Sequence, residues 1–398
     1  MSAERGVDVV SLGCRLNIAE SEQIRALLAA ESDVVVINSC AVTAEAVRQT
    51  RQAIRRARRG RPDARLLVTG CAADIERDAL AAMPEVDGLI PNTSKLDPRA
   101  WNAPERALPA HQHALPARTR AFVAVQNGCD HACTFCVIPQ GRGPSLSLNV
   151  PQVLAEVERH LAQGASEVVL TGVDVTSWGH DLPNAPGLGV LVQAILDGFP
   201  QLTRLRMSSL DGVEIDAQLF ELLASEPRMV PHLHLSLQHG HDLILKRMKR
   251  RHSRADAVQL VKGLRRRRPD IAIGADLIAG FPTETAEMHE ANRTIIRDLD
   301  VVHGHIFPYS PRPKTPAARM PQLDKAVIRT RAAELREETA RRRDRWLQSL
   351  IGTPLDVLSE KDGTGYSGNF ARVAVPDGTV PGTLMTITPT SLQEGLLL

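Results

Sequence analysis

Ala121-Phe122-Val123-Ala124-Val125 runs through Gly128 into Cys129-Asp130-His131-Ala132-Cys133-Thr134-Phe135-Cys136-Val137-Ile138-Pro139-Gln140-Gly141-Arg142-Gly143. The apolar start predicts a strand. Three thiols then follow at C-x3-C-x2-C spacing in one loop, and Gly128 and Gly143 allow the chain to bend at both ends. Thiols this close can all reach one metal centre.

Downstream, apolar runs alternate with helical patterns. Strands are expected at Glu167–Leu170, Leu202–Met207, His232–Leu237, Ile271–Ile278 and His303–Ser310, with helices at 150–163, 188–198, 216–225, 253–267 and 285–298. With the strand before Cys129 this makes about six βα units, enough for most of a barrel. Polar residues cluster after the strands, as in Thr171-Gly172-Val173-Asp174, Ser208-Ser209-Leu210-Asp211 and Gln238-His239-Gly240. In barrels that end carries the active site.

Upstream, three shorter units repeat one plan. Val7–Leu12, Asp33–Ile37 and Arg65–Thr69 read as strands, each followed by a helix, at 18–30, 43–59 and 74–82. The alternation implies a parallel sheet whose strand C-termini share one edge. Cys14, Cys40 and Cys71 each fall one to three residues past a strand end. The fold would gather them although the sequence scatters them. Three small buried hydrophobes is the bland alternative; threefold recurrence at one structural position favours metal ligation. Asn17, Asn38 and Thr69 are placed to hydrogen-bond the sulfurs or their backbone. From Pro91 to Pro116 prolines interrupt the pattern, which reads as a linker with a boundary near residue 115.

The 398 residues hold 43% hydrophobic side chains but only 3% aromatics, so aliphatic packing must dominate the core. The net charge of +2 excludes little. Arginine runs at 48–61, 265–268 and 341–345 suggest a polyanionic partner, although each alone suits a solvated helix face. No secretory signal or membrane-length apolar run is evident, so a cytoplasmic protein with reduced thiols is expected.

A four-iron cluster held by three thiols leaves one iron open to a further ligand. Zinc with His131 as fourth ligand is the alternative, but His131 lies too close in sequence to ligate comfortably alongside both flanking thiols, which weights iron–sulfur above zinc. The C-x3-C-x2-C loop with Phe135 before its last Cys resembles the radical S-adenosylmethionine superfamily signature. Leu12–Asn17, Asn38–Thr43, Val68–Cys71, Leu170–Gly179, Leu237–Met248, Gly280–Thr285 and Phe307–Met320 extend the resemblance over essentially the whole chain, to the methylthiotransferases. Thr171–Gly179, Leu205–Asp211 and His305–Ser310 look most like the branch acting on threonylcarbamoyladenosine in tRNA.

The resemblance implies an α/β fold in three parts: an N-terminal parallel-sheet domain (1–115), a partial (βα) radical barrel (116–348) and a small C-terminal β-barrel similar to the RNA-binding TRAM domain (349–398). It implies two [4Fe-4S] clusters and S-adenosylmethionine. Cys129, Cys133 and Cys136 would hold the cluster that cleaves S-adenosylmethionine, and Cys14, Cys40 and Cys71 an auxiliary cluster carrying sulfur. Thr171, Gly172, Ser208 and Gln238 are further cofactor-binding candidates. A radical would remove hydrogen from adenine C2, a C–H bond too unacidic for general-base chemistry, and the methylthio group would be delivered there. A tRNA substrate and a flavodoxin-type electron donor follow; the sulfur donor does not. Methylthiolation of isopentenyladenosine or of a ribosomal-protein aspartate are alternatives, as is a zinc-stabilised RNA-binding protein without activity. The family often has Arg at the place of Leu146 and Gly at the place of Lys314. Arg142 fits either a carboxylate or phosphate partner or a structural salt bridge. In the tail, only Tyr366 and Phe370 could stack on bases.

Overall fold

The computed structural model describes residues 6–102 and 119–398. They form two compact units. The first combines residues 6–102 with 126–146 and 310–318, so the Cys129–Cys136 loop belongs with the upstream cysteines. The rest of the described chain forms the second.

In the first unit β1 (Asp8–Ser11), β2 (Val34–Ser39), β3 (Arg65–Gly70) and β4 (Gly88–Leu89) pair in parallel in chain order. Their apolar runs are continuous because both faces are covered. Val35, Ile37, Leu66 and Val68 pack with Val47 and Ile54 of the helix Ala44–Gly60. On the other face Val34, Val36 and Leu67 meet Ile24, Leu28 and Trp101. Thr43 caps the helix Ala44–Gly60, accepting a hydrogen bond from Ala46 N at 3.1 Å.

Residues 91–102 are not a linker. Trp101 is 2% exposed and donates from Nε1 to Lys95 O at 2.9 Å. The remainder of the expected linker, 103–116, lies outside the described residues, as does its boundary near 115. The long third helix expected at 74–82 is two short ones, Cys71–Ile75 and Arg77–Ala81, broken at Glu76.

The second unit carries six parallel strands: β5 (Arg120–Ala124), β6 (Glu167–Thr171), β7 (Arg204–Met207), β8 (His232–Gln238), β9 (Ala272–Ala279) and β10 (Val301–Pro308). β5–β7 and β8–β10 each pair in chain order, and isolated bridges Leu205↔Met229 and Leu210↔Leu235 join the two halves. Alternate residues point to opposite faces. Val168, Leu170, Leu205, Leu233, Leu235, Ile273 and Leu277 enter the apolar core with Val153, Leu191 and Ile195 from the helices. The intervening positions, Glu167, Arg206, His232, His234, Asp276, His303 and His305, line the other face.

After the helix Lys325–Ser349, six strands form one mostly antiparallel sheet: β11 (Leu355–Ser359), β12 (Thr364–Ser367), β13 (Arg372–Ala374), β14 (Leu384–Ile387), β15 (Leu392–Gln393) and β16 (Leu396–Leu397), in the order β14-β11-β12-β13-β16-β15. Its core is Leu347, Leu355, Val357, Ala371, Val373 and Leu397. This sheet seats on the amino ends of the barrel strands. Arg120 meets Glu360 at 2.7 Å, Arg204 donates to Tyr366 O at 3.0 Å, and Ser166 Oγ donates to Gly382 O at 2.8 Å.

Candidate metal centres and cofactor edge

In the first unit the register sets Ser11 beside Asn38 and Asn38 beside Thr69. The three cysteines follow directly. Cys14 is the N-cap of the helix Arg15–Leu27, Cys40 follows β2, and Cys71 opens the helix after β3. Gly13 has φ +94°, and a Cβ there would lie 2.8 Å from Cys40 Sγ, so the Cys14 and Cys40 loops touch and leave no room for a side chain. Asn17 donates to Leu12 O at 2.6 Å and Ser39 O at 3.0 Å, and its Oδ1 stands 3.7 Å from Cys14 Sγ. Asn38 donates to Asn17 O and Ser21 Oγ. Thr69 Oγ1 is buried with no hydrogen bond among the described residues. Burial pushes the Cys40 thiol up to about 11 and also raises Cys71, so both thiols give up their protons when a metal binds.

The second trio lies in the same unit. Cys129 N donates to Gly143 O at 3.2 Å and Cys136 N to Cys133 O at 3.2 Å, closing the loop. His131 N points at Cys129 Sγ at 3.5 Å and Ile138 N at Cys136 Sγ at 3.4 Å. Backbone donors aimed at sulfur favour the thiolate form that metals bind. All-thiol donor sets with such donors and a glycine-cleared approach fit iron–sulfur clusters.

Arg142 joins the two trios. Its NH1 reaches Glu20 Oε1 at 2.8 Å and Asn127 Oδ1 at 2.7 Å, and its NH2 reaches Asn17 Oδ1 at 2.6 Å. Its partner is thus a carboxylate of this chain. Lys95 Nζ meets the same carboxylate at 2.5 Å. Sequence reasoning missed Glu20 and Lys95. Glu20 looked like an ordinary helix charge, and Lys95 sat in the proline-rich stretch. A charged residue six positions after Cys14, on the helix face that carries buried Ile24, was the available signal.

In the second unit the structure brings Thr171, Gly172, Ser208 and Gln238 to the carboxyl ends of β6, β7 and β8. Thr171 O accepts from Val125 N at 2.9 Å, and Ser208 N donates to Leu170 O at 3.0 Å. Ser208 Oγ is buried without a hydrogen bond among the described residues. Gln238 has φ +68° at an irregularity in the β8–β9 pairing, a conformation that strains a non-glycine residue and clusters at ligand sites. Glu284 explains its own stretch: its carboxylate accepts from Gly280 N at 2.7 Å and Phe281 N at 3.0 Å, closing the loop after β9. Deeper in the barrel, His234 Nε2 and His305 Nδ1 both lie 3.1 Å from Asp276 Oδ1, a cluster the sequence reading did not single out.

The aromatic pair in the tail is already engaged. Phe370 packs 5.3 Å from the His232 ring with the Arg206 guanidinium 4.4 Å from its centroid, and the Arg120 guanidinium stacks 4.8 Å from the Tyr366 centroid. Base stacking by these two rings is corrected to a structural role. Most of the arginine runs are likewise paired, as in Arg58–Asp87 at 2.6 Å, Arg61–Asp33 at 2.6 Å, Arg267–Glu221 at 2.5 Å and Arg341–Glu337 at 2.6 Å.

Residues 123–295 match the radical SAM superfamily and residues 6–91 the uncharacterized protein family UPF0004. The chain is 40% identical over 404 residues to the threonylcarbamoyladenosine tRNA methylthiotransferase MtaB of Rickettsia prowazekii, covering 98% of this chain and 96% of that one. It is 32% identical to the tRNA-2-methylthio-N(6)-dimethylallyladenosine synthase of Cereibacter sphaeroides, covering 98% and 97%. Among solved structures, the radical S-adenosylmethionine methyltransferase TsrM of Kitasatospora setae superposes with a TM-score of 0.59 at 17% identity, covering 79% of this chain and 77% of that one. This last likeness concerns the fold.

Proposed function

The chain belongs to the radical S-adenosylmethionine methylthiotransferases, and from that premise we propose that it adds a methylthio group to C2 of N6-threonylcarbamoyladenosine in tRNA. The observation that carries this reading is the pair of three-thiol loops held by one compact unit, one loop of radical spacing and one built from three strand ends. The higher identity to the relative named for threonylcarbamoyladenosine, 40% against 32%, favours that substrate over dimethylallyladenosine.

In this reading Cys129, Cys133 and Cys136 hold one [4Fe-4S] cluster and Cys14, Cys40 and Cys71 the other. When bound, the two clusters supply the electron for cleaving S-adenosylmethionine and the sulfur that is transferred. The protein's own work is placement. The N–H groups of His131 and Ile138 orient two of the thiolates. Thr171, Gly172, Ser208 and Gln238 line the strand ends where S-adenosylmethionine binds, with the Ser208 hydroxyl available to it. The division 1–115, 116–348 and 349–398 gives auxiliary-cluster, radical and RNA-binding segments. With Tyr366 and Phe370 committed to the barrel, the last segment contacts tRNA through backbone shape and charge. A flavodoxin-type protein is the electron donor, and the reaction takes place in the cytoplasm. No helix among the described residues is long and apolar enough to cross a membrane.

Anaerobically reconstituted protein, given S-adenosylmethionine, a reductant and tRNA carrying threonylcarbamoyladenosine, is expected to form 5′-deoxyadenosine together with the methylthio nucleoside. Turnover of tRNA carrying only dimethylallyladenosine would replace this substrate with the other. Zinc without iron, and no deoxyadenosine, would remove the enzymatic reading.

A further inference from the structure

Glu20, Lys95 and Arg142 form a buried triad with side-chain exposures of 3%, 2% and 2%. Both cations share the one carboxylate. Lys95 Nζ takes Oε2 at 2.5 Å, and Arg142 takes Oε1 at 2.8 Å and Oε2 at 3.2 Å. Among the described residues the other hydrogen-bonding side chains on Arg142, Asn17 and Asn127, are neutral, and its guanidinium also acts on the Cys71 thiol. Among the described residues no second carboxylate stands within ion-pair distance of either cation. Asp74 feels Lys95 only at longer range and behind its own neighbour Arg77. Burial lowers the pKa of Lys95 and the Glu20 carboxylate opposes it; with Lys95 protonated against that carboxylate, two cations and one anion leave the triad one positive charge in excess. Burying an uncompensated charge is strongly destabilising.

The compensating anion has a place beside it. Asn17 Oδ1, which accepts from Arg142, also stands 3.7 Å from Cys14 Sγ. Gly141, just before Arg142, lies so close to Cys71 that a Cβ on it would sit 3.4 Å from the Cys71 Cβ. Asn92 donates to Gly141 O and stands 4.0 Å from Cys71 Sγ. The excess charge thus borders the thiols of the upstream trio. The charges around an iron–sulfur cluster and the hydrogen bonds to its sulfurs help set its reduction potential.

We propose that Lys95 and Arg142, braced by Glu20, supply the fixed positive charge that offsets the anionic cluster held by Cys14, Cys40 and Cys71, and so set how readily that cluster accepts an electron. The proposal rests on the cluster assignment made above. They are positioning residues, acting on the cluster through charge.

The test uses the full chain with Cys129, Cys133 and Cys136 replaced by Ala, reconstituted anaerobically so that iron binds only at the upstream trio. Its potential is followed by a redox titration monitored by electron paramagnetic resonance. Lys95→Met removes a positive charge and is expected to lower the potential; Glu20→Gln removes the negative one and is expected to raise it. A tenfold change in the reduced-to-oxidised ratio at fixed potential, about 59 mV for one electron, is the expected size in each direction. Arg142→Lys keeps the charge and is expected to shift the potential by less. Glu20→Gln is isosteric, so it carries the sign test if Lys95→Met folds poorly. Shifts of the same sign, or none, overturn the proposal while leaving the cluster assignment standing. A background protein that binds no iron removes the cluster assignment itself, and the proposal with it.

Discussion

Lys314 has φ +63°, in the left-handed region that glycine favours. A β-carbon in that conformation costs about 1 kcal/mol. Lys314→Gly is therefore expected to raise the thermal midpoint, and a lower midpoint would show that the lysine side chain earns its place through contacts. Glu284 makes a second case. Burial works to raise its pKa, but the imidazoles of His239, 3.6 Å away, and His289, 3.2 Å away, and the charge of Arg331 at 3.2 Å outweigh it and hold the carboxyl at about 2, against an ordinary 4.5. A depressed acid stabilises the fold above its unfolded pKa and loses that contribution as the pH falls through its folded one. The difference between 4.5 and 2 corresponds to about 3 kcal/mol. Thermal midpoints measured from pH 4.5 down to pH 2 should fall further for the wild type than for Glu284→Gln, which has already lost the contribution at neutral pH. Parallel declines would contradict this account.

Among the elements, the floor of the barrel has the clearest consequence. Arg206 Nε pairs with Glu167 Oε1 at 2.6 Å, both 1% exposed, while Phe370 from the C-terminal sheet covers the guanidinium. Arg206→Met leaves Glu167 buried with Arg204, 3.6 Å away, as its remaining ion pair among the described residues and Arg120 acting from further off. The expected cost is about 3 kcal/mol. Hydrogen exchange should quicken in Leu355–Ser359, whose Asp356 O accepts from Arg204; unchanged exchange there would mean that the sheet holds to the barrel without this floor. This arrangement was not legible in the sequence. Alternation exposed the strands and their ends, because apolar runs and polar ends follow local rules. It could not show that Phe370 leaves its own sheet to stack on Arg206, since that contact depends on two segments distant in the chain. The same limit hid Lys95 and Trp101, whose burial overrides a proline-rich composition. Cys14, Cys40 and Cys71 were legible because each follows a strand end, and Cys129, Cys133 and Cys136 because of their close spacing.

At the scale of the whole molecule, one compact unit contains all six cysteines. Two [4Fe-4S] clusters predict about eight irons per chain. Replacing either trio by Ala should halve the iron, and a loss of all iron from one replacement would mean a single shared centre. The arginine runs, read from sequence as a polyanion's footprint, prove to be largely ion-paired within the chain. The substrate assignment therefore rests on the paired thiol loops and on family membership. The most direct test is mass spectrometry of tRNA nucleosides from cells in which the gene has been deleted and then restored. Deletion should abolish 2-methylthio-N6-threonylcarbamoyladenosine, leave N6-threonylcarbamoyladenosine in its place, and be reversed by the wild-type gene but not by one lacking Cys14, Cys40 and Cys71. Unchanged levels of the methylthio nucleoside after deletion would contradict the account.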